Sequence, residues 1–304
     1  MARNIIKALA LAQSDAATER LHLVNPQIGK MTTKAGDDGP LSRAFGAENL
    51  LRDVALPGNL LKNEGVAIIC KPIASHKEIR VLDLADNEVD AEGGGAVAEM
   101  ITTTVGLIQL TLDDNQFGSA IPEVMAALGR NETILEFYFE GTVESNASTD
   151  QTALGESSAG MLEANVTLQL LSLSRNRLPS SAFEPLMVGL DNTTSNKTLQ
   201  TIYLNSCSAG DSGARLLGGM FGKNHTLAKV QLRNNGFQDP GGTAIADALP
   251  KNRGLKDLDL QMADFRFITL VLIHNGRSTV FISTVAWCLY RKSTDHCTCQ
   301  LQRP

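Results

Sequence analysis

Residues 79–89 read IRVLDLADNEV, and the spacing of apolar and polar side chains along them decides the fold. Ile79, Leu82 and Leu84 stand at offsets 0, 3 and 5 of the stretch. The last two have the period-two spacing of a short strand with one face in a core. Asn87 follows at offset 8, where the chain must turn off the strand and an amide side chain can satisfy backbone groups that the turn leaves unpaired. The same grammar starts again at Leu51, Leu107, Ile134, Leu168, Leu199, Leu227 and Leu255, with successive gaps of 28, 28, 27, 34, 31, 28 and 28 residues. Asn59, Asn87, Asn115, Asn176 and Asn235 occupy the turn position, and Thr142 and Cys207 substitute for asparagine there.

Six residues after the asparagine a glycine stands in four copies, Gly65, Gly93, Gly213 and Gly241, and each opens a segment with helical apolar spacing. Each unit is therefore strand, turn and helix, and cannot bury its apolar face alone. Stacking the units makes one continuous core, which predicts an α/β solenoid with parallel strands on a concave face and helices on a convex face. Leucine is used 40 times in 304 residues, as such a core demands.

The 28-residue period, the small residue six after the asparagine and the N-x-T-L join between copies resemble the ribonuclease-inhibitor-like class of leucine-rich repeats. That class is shared by the repeat domains of NOD-like receptors and by the GTPase-activating proteins of Ran. The resemblance covers residues 51 to about 263 and implies a horseshoe that recognises other proteins. It does not fix which, since the class binds unrelated partners. The same join accounts for four of six N-x-[ST] sequons, at Asn131, Asn165, Asn196 and Asn224; Asn146 and Asn192 carry the other two. Their frequency follows from repeat grammar, not from a glycosylated surface.

Offsets 2, 4 and 6 of each strand are expected to face away from the core. They carry Asp53, Asp83, Asp113, Glu136, Tyr138 and Glu140 in repeats one to four, then Ser172, Ser174, Thr201, Tyr203 and Asn205 in repeats five and six. Repeats seven and eight follow with Lys229, Gln231, Arg233, Asp257, Asp259 and Gln261, so charges of one sign fall in bands. Tyr138 and Tyr203 share the offset-4 column two strands apart, roughly 10 Å. Aromatics flanked by acidic groups on a rigid sheet suit a basic protein surface. The expected partner-binding set is Asp83, Asp113, Glu136, Tyr138, Glu140, Tyr203, Lys229, Arg233, Asp257 and Asp259.

Other function classes find little footing. The chain has 27 basic and 33 acidic groups, a net charge of −6, which gives no general warrant for nucleic-acid binding. No G-x-x-x-x-G-K-[ST], H-E-x-x-H, G-x-S-x-G or C-x-x-C motif occurs, so neither an enzyme nor a cofactor or metal site is expected. The glycine-rich AEGGGAVAEM at 91–100 lacks the lysine and hydroxyl of a phosphate loop and reads as a helix start. Five cysteines without a framework fit a reducing, cytoplasmic setting. The expectation is a monomeric, non-enzymatic scaffold that binds a partner protein through an acidic concave face. The alternative is a regulator of a small GTPase, similar to the Ran activators.

Three parts are expected: an N-terminal cap over 1–50, with SDAATERLHLV at 14–24 as a capped helix; the repeats over 51–264; and a non-repeat end over 265–304. Asn-Gly at 275–276 marks a hairpin turn in that end, with a poorly ordered tail as the alternative. A membrane span there is opposed by His274, Asn275 and Arg277, which interrupt the apolar runs. The longer junctions, EGTVESNASTDQTALGESSAG at 140–160 and GLDNTTSNKT at 189–198, are expected to be surface loops. The end carries a net charge of +4, leaving −10 on residues 1–264.

Overall fold

The structure, a computed structural model, describes residues 19–24, 51–143, 148–191, 197–261 and 263, together with the backbone of two short strands at 273–274 and 279–280. The stretch TTKAGDDGP at 32–40, whose composition reads as a loop, the sequons at Asn146, Asn192 and Asn196 and most of the expected C-terminal part lie outside these residues.

Among the described residues nine strands form one parallel sheet in chain order. They are β1 (Arg20–His22), β2 (Asp53–Ala55), β3 (Val81–Asp83), β4 (Gln109–Thr111), β5 (Glu136–Tyr138), β6 (Leu170–Ser172), β7 (Thr201–Tyr203), β8 (Lys229–Gln231) and β9 (Asp257–Asp259). The crossovers from β2 onward carry α1 (Lys62–Ser75), α2 (Ala91–Thr103), α3 (Ile121–Arg130), α4 (Ser148–Ala164), α5 (Ser180–Gly189), α6 (Gly210–Phe221) and α7 (Asp239–Ala248). Each of β2 to β9 begins at offset 2 of its repeat, and the pairing never slips. Leu21, Val54, Leu82, Leu110, Phe137, Leu171, Ile202, Val230 and Leu258 align across the sheet. All nine are buried and form the core seam. Strands repeat every 4.7–4.9 Å or so while packed helices need about 8–10 Å. The stack therefore bends with the strands inside.

Four of the asparagines each close a turn onto the next repeat. Asn115 Oδ1 accepts the N–H groups of Asn87 and Val89, both at 3.1 Å. Its Nδ2 donates to the carbonyls of Leu84, Leu112 and Asp113 at 3.0, 2.9 and 3.1 Å. Asn87, Asn176 and Asn235 make the equivalent set. Cys207, in the asparagine position, points its thiol at the carbonyls of Leu173 and Asn205, each 3.5 Å away. Around these turns the backbone repeatedly takes positive φ, at Asp86, Asp114, Arg175, Ser206 and Asn234 among others. Asn and Asp tolerate that conformation best among non-glycine residues, which accounts for much of the loop composition.

A second asparagine row stands where each helix returns to the sheet. Asn131, Asn165, Asn224 and Asn252 are all buried. Each side-chain oxygen accepts the N–H three residues on, at 2.7–2.9 Å. Each Nδ2 donates to a carbonyl of the repeat before, at 2.6–2.8 Å. His76 does the accepting half of this work through Nδ1, 3.2 Å from the N–H groups of Glu78 and Ile79. The described sequons at Asn131, Asn165 and Asn224 are thus structural amides, as the repeat grammar implies.

Two local expectations are corrected. The segment read as a capped helix at 14–24 contributes β1 instead, which pairs parallel with β2 through Leu21 and Val54. The sheet therefore begins inside the stretch expected to be a cap alone. Most of the junction read as a loop is the 17-residue helix α4. Gln151, Leu154, Gly155, Ser158, Met161 and Leu162 fall on its buried face, so helical spacing prevails over its small, polar composition. Farther on, Ile273–His274 and Thr279–Val280 pair antiparallel.

The helix layer is close-packed at small residues. A side chain at Gly218 in α6 would place its Cβ 2.5 Å from the Ala244 carbonyl oxygen of α7, whereas a Cβ on the neighbouring Gly219 would meet nothing within 4 Å. We expect Gly218→Ala to lower unfolding free energy by about 1–3 kcal/mol through overpacking. Gly219→Ala is expected to raise it by up to about 1 kcal/mol through helix propensity. Urea titrations of the two variants check this, and equal effects would refute the close approach. Asn115→Ala, which strips partners from five backbone groups, is expected to cost about 3 kcal/mol or more in the same measurement.

Candidate functional site

The outward face of the sheet is assembled from offsets 2, 4 and 6, which alternate with the buried seam as the period-two geometry requires. It brings together the expected residues from β3 to β9. Tyr138 and Tyr203 stand in the same register row, separated by Ser172. Ser172 and Ser174 are fully or nearly buried, so the small side chains of β6 make the floor between the tyrosines and offer no contact surface of their own. The Ser172 hydroxyl donates to Glu140 Oε1.

Tyr138 donates its hydroxyl to Glu136 Oε2 at 3.2 Å, and its phenol is held well above its ordinary range by partial burial and by the charge of Glu136. It stays a neutral donor at any physiological pH. Tyr203 carries the Lys229 ammonium 6.0 Å from its ring centroid, a distance at which cation–π attraction acts.

Charge is not distributed as simple bands. Lys229 pairs with Asp257 at 3.2 Å and Arg233 with Asp259 at 2.5 Å, so the basic column of β8 is matched by the acidic column of β9. At the other end of the sheet His22 and Arg20 lie 3.0 and 3.7 Å from Asp53. Between these ends the balance is acidic. Arg175, beyond β6, holds Asp114 through two bonds of 2.6 and 3.0 Å and reaches Glu140 at 3.3 Å. Gly141, at φ +61°, lets the pair pass, since a Cβ there would collide with the Asp114 carboxylate.

Asp113 shares this cluster with no cation of its own among the described residues. One oxygen accepts the Glu140 N–H at 2.8 Å, yet partial burial, helped by the charges of Glu140 and Asp114, pushes its carboxyl up to about 7. Asp83, on the neighbouring strand, is raised in the same direction, chiefly by burial. Tyr138, Tyr203, Glu136, Glu140, Asp113 and Asp83 therefore form a continuous acidic and aromatic patch over β3 to β7. The paired residues Lys229, Arg233, Asp257 and Asp259 flank it. Sequence spacing located every one of these side chains; it did not reveal Arg175 and Asp114, which lie one position past the expected columns.

Nothing in the patch suggests a nucleophile or a metal centre, and the described residues hold no cluster of three metal-ligating side chains. Elsewhere a cleft of about 260 Å³ between α1 and α2 is lined by Ala67, Cys70, Ala96 and Met100, among others. The Cys70 thiol at its base is pushed up to about 12 by burial and is a packing group, not a reactive one. No described helix is long and apolar enough to cross a membrane.

Comparisons with known proteins point the same way for the fold. A family model described as "Leucine Rich repeat" matches residues 78–98 and 223–246. The Homo sapiens protein named "Capping protein, Arp2/3 and myosin-I linker protein 3" is 22% identical over 293 residues, which cover 95% of this chain and 21% of that protein. Ribonuclease inhibitor of Sus scrofa is 25% identical over 241 residues, 79% of this chain and 50% of the inhibitor. The Mus musculus protein named "NACHT, LRR and PYD domains-containing protein 12" is 25% identical over 212 residues, 69% of this chain and 19% of that protein. The chain thus spans half or less of the length of each of these relatives.

The raised Asp113 carboxyl makes stability depend on pH. Its ordinary unfolded value is near 3.9, below the folded one of about 7, so the folded state binds the extra proton between them. Stability should then fall as pH rises from about 4 to about 7 and level off above. Asp113→Asn should flatten that slope and be the more stable protein at about pH 8. Urea unfolding at both ends of the range checks it, and an unchanged slope would disprove the assignment.

Proposed function

We propose that this chain, a ribonuclease-inhibitor-like leucine-rich-repeat protein, is a non-enzymatic scaffold that binds a partner protein carrying a basic surface on its strand face. The observation that carries this reading is the patch of Asp83, Asp113, Glu136 and Glu140 around Tyr138 and Tyr203, beside which Arg175 bonds two carboxylates, Glu140 and Asp114. A cationic partner supplies the missing countercharge, and the two rings supply apolar area at little entropic cost.

The mechanism is preorganisation. The contact side chains spring from strands paired in register or from the turns that directly follow them, so docking orders little on this side and loses little affinity to it. The same rigidity aligns the acidic patch before contact, which favours fast, salt-sensitive encounter. The relatives lend support in kind: one is named as a linker of capping protein, Arp2/3 and myosin-I, and another as an inhibitor of ribonuclease. Both are names of proteins that act by binding other proteins. Lys229, Arg233, Asp257 and Asp259 take the part of a rim, their charges already matched, and are expected to govern partner choice more than affinity. The described part is expected to act as a monomer, with β1 and the residues around it as the N-terminal cap of the stack.

Replacing both Tyr138 and Tyr203 by alanine should weaken binding of a basic partner by about tenfold or more, on the scale of hot-spot truncation. Replacing Lys229 and Arg233 together should change it only a few-fold. Calorimetric titration of the purified variants separates these, and a double tyrosine variant with full affinity would remove the patch from the interface.

A further inference from the structure

We infer that the rim along which the chain enters its strands is a second interaction surface, one that holds an extended acidic segment of a partner protein with aliphatic residues at its middle. The rim lies ahead of offset 2 in each repeat, shares no side chain with the strand-face patch, and stands independently of the reading given above.

Two rows of side chains run along this rim, and the backbone fixes both. In the first, the residue at offset 1 donates its N–H to the carbonyl of the same position in the repeat before: Ile108 to Arg80, Leu135 to Ile108 and Gln169 to Leu135, each at 2.8 Å. The ladder continues in the same way to Lys256. The second row is the residue two places before the first apolar position of each repeat. Gly106 packs so closely on the preceding junction that a Cβ there would lie 2.7 and 2.9 Å from the carbonyl oxygens of His76 and Lys77, which sets Val105 next to Lys77. Thr167 Oγ1 donates to the Asn131 carbonyl at 3.2 Å, which sets Val166 next to Glu132. The row therefore runs Lys77, Val105, Glu132, Val166, Lys197, one residue per repeat, and goes on through His225 to Arg253.

The centre of the rim is apolar. Among the described residues five large apolar side chains are exposed, and three of them stand here within three successive repeats: Val105 at 57%, Val166 at 55% and Ile108 at 37%. The half-buried Leu135 falls between them. Exposed apolar side chains scattered singly need no explanation, whereas a contiguous group rimmed by polar residues marks an interaction site.

Both ends of the rim are basic. Lys77 and Arg80 precede the apolar group, Lys197, Arg253 and Lys256 follow it, and all five are exposed. None of the five pairs with a carboxylate among the described residues, unlike Lys229 and Arg233 on the strand face. Arg80 lies along the rim, its guanidinium donating to the Gly106 carbonyl at 2.8 Å. With Arg52 the rim carries six cations against two carboxylates, Glu78 and Glu132, in a chain whose net charge is −6.

The spacing defines the occupant. Strands repeat about every 4.8 Å, so Val105 and Val166 stand roughly 10 Å apart and Arg80 and Lys256 roughly 29 Å apart. An extended segment advances about 3.3 Å per residue, so about nine residues span the rim. Carboxylates at its two ends meet the cations, and aliphatic side chains at its middle cover the valines, the arrangement of an apolar centre within a polar rim. A lipid surface is the poorer fit. Glu132 stands exposed between the two valines, where it repels anionic headgroups, and neither row holds a Trp, Tyr or Phe, the aromatics that anchor proteins at membrane interfaces.

A fluorescein-labelled peptide of about nine residues, acidic at both ends with a Leu-Val-Leu centre, serves as the probe, titrated by anisotropy against the full chain at low ionic strength. The expected result is saturable binding that weakens about tenfold in the double variant Val105→Ser, Val166→Ser and about tenfold in the double variant Lys77→Glu, Lys197→Glu. A peptide with Gly-Ser-Gly at its centre should bind about tenfold more weakly, and Tyr138→Ala on the strand face should leave the affinity unchanged. All four substituted rim positions are exposed, and urea titration checks that the variants keep the stability of the unmodified chain. Full affinity in either double variant, equal binding of the two peptides, or no binding overturns the proposal and leaves the strand-face reading standing. Capture of the chain by phosphatidylserine vesicles without peptide binding also overturns it and gives the rim to a lipid surface instead.

Discussion

Most of this stack depends on the bond from an asparagine amide in one repeat to backbone N–H groups of the repeat before, made by Asn87, Asn115, Asn176 and Asn235. Asn87 reaches Asn59 and Leu61, 28 and 26 residues back, and Asn115 reaches Asn87 and Val89 by the same spans. Backbone groups in a buried turn must find partners, and here the partner comes from the next copy. A repeat whose length changed at the turn would lose the bond. The period is therefore a hydrogen-bond constraint before it is a packing one, and it fixes the strands in register.

That constraint explains where the chain tolerates variation. The gaps of 34 and 31 residues both fall after the turn, on the helix side. Across them Glu136 still pairs with Leu170, and Leu170 with Thr201. Insertions lengthen α4 or the join to β7 and leave the strand face untouched. The junction asparagines Asn131, Asn165, Asn224 and Asn252 make a second row of the same kind, so in these repeats a side-chain amide also ties the strand's other end to its neighbour. A face held at two points per strand can carry closely spaced charges without yielding to them.

Much of this is written in the residues. Leucine spacing marks the phase of β2 to β9, because apolar side chains at offsets 3 and 5 permit only one, though the strands themselves end at offset 4, and the asparagines mark the turns. β1 escapes such reading because its repeat keeps Leu21 and Leu23 but has Pro26 where the asparagine should stand. α4 escapes because Ser, Thr and Gly suggest a loop until Leu154, Met161 and Leu162 are seen to fall on one face. For the site, the sequence shows which side chains share a column but not which find partners across it. Lys229 and Asp257 occupy the same column on adjacent strands, as do Tyr138 and Ser172, yet only geometry distinguishes a neutralised pair from a ring over a buried hydroxyl.

The electrostatics of the strand face follow from the same rigidity. Like charges on neighbouring strands are unfavourable at the sheet's spacing, and a flexible loop would let them separate. Here Asp113, Asp114 and Glu140 come from adjacent repeats whose turns are tied together, so their repulsion is retained in the folded state and shared over one guanidinium. Near the edge of the sheet β8 and β9 meet the same problem with alternating signs, and there the repulsion is gone. A cluster compensated only in part, in the middle of a face whose ends are paired, is a cost to folding that an external cation or a proton reduces. On the proposed reading, a cationic partner would therefore dock on the interior of the sheet and not on its compensated edge.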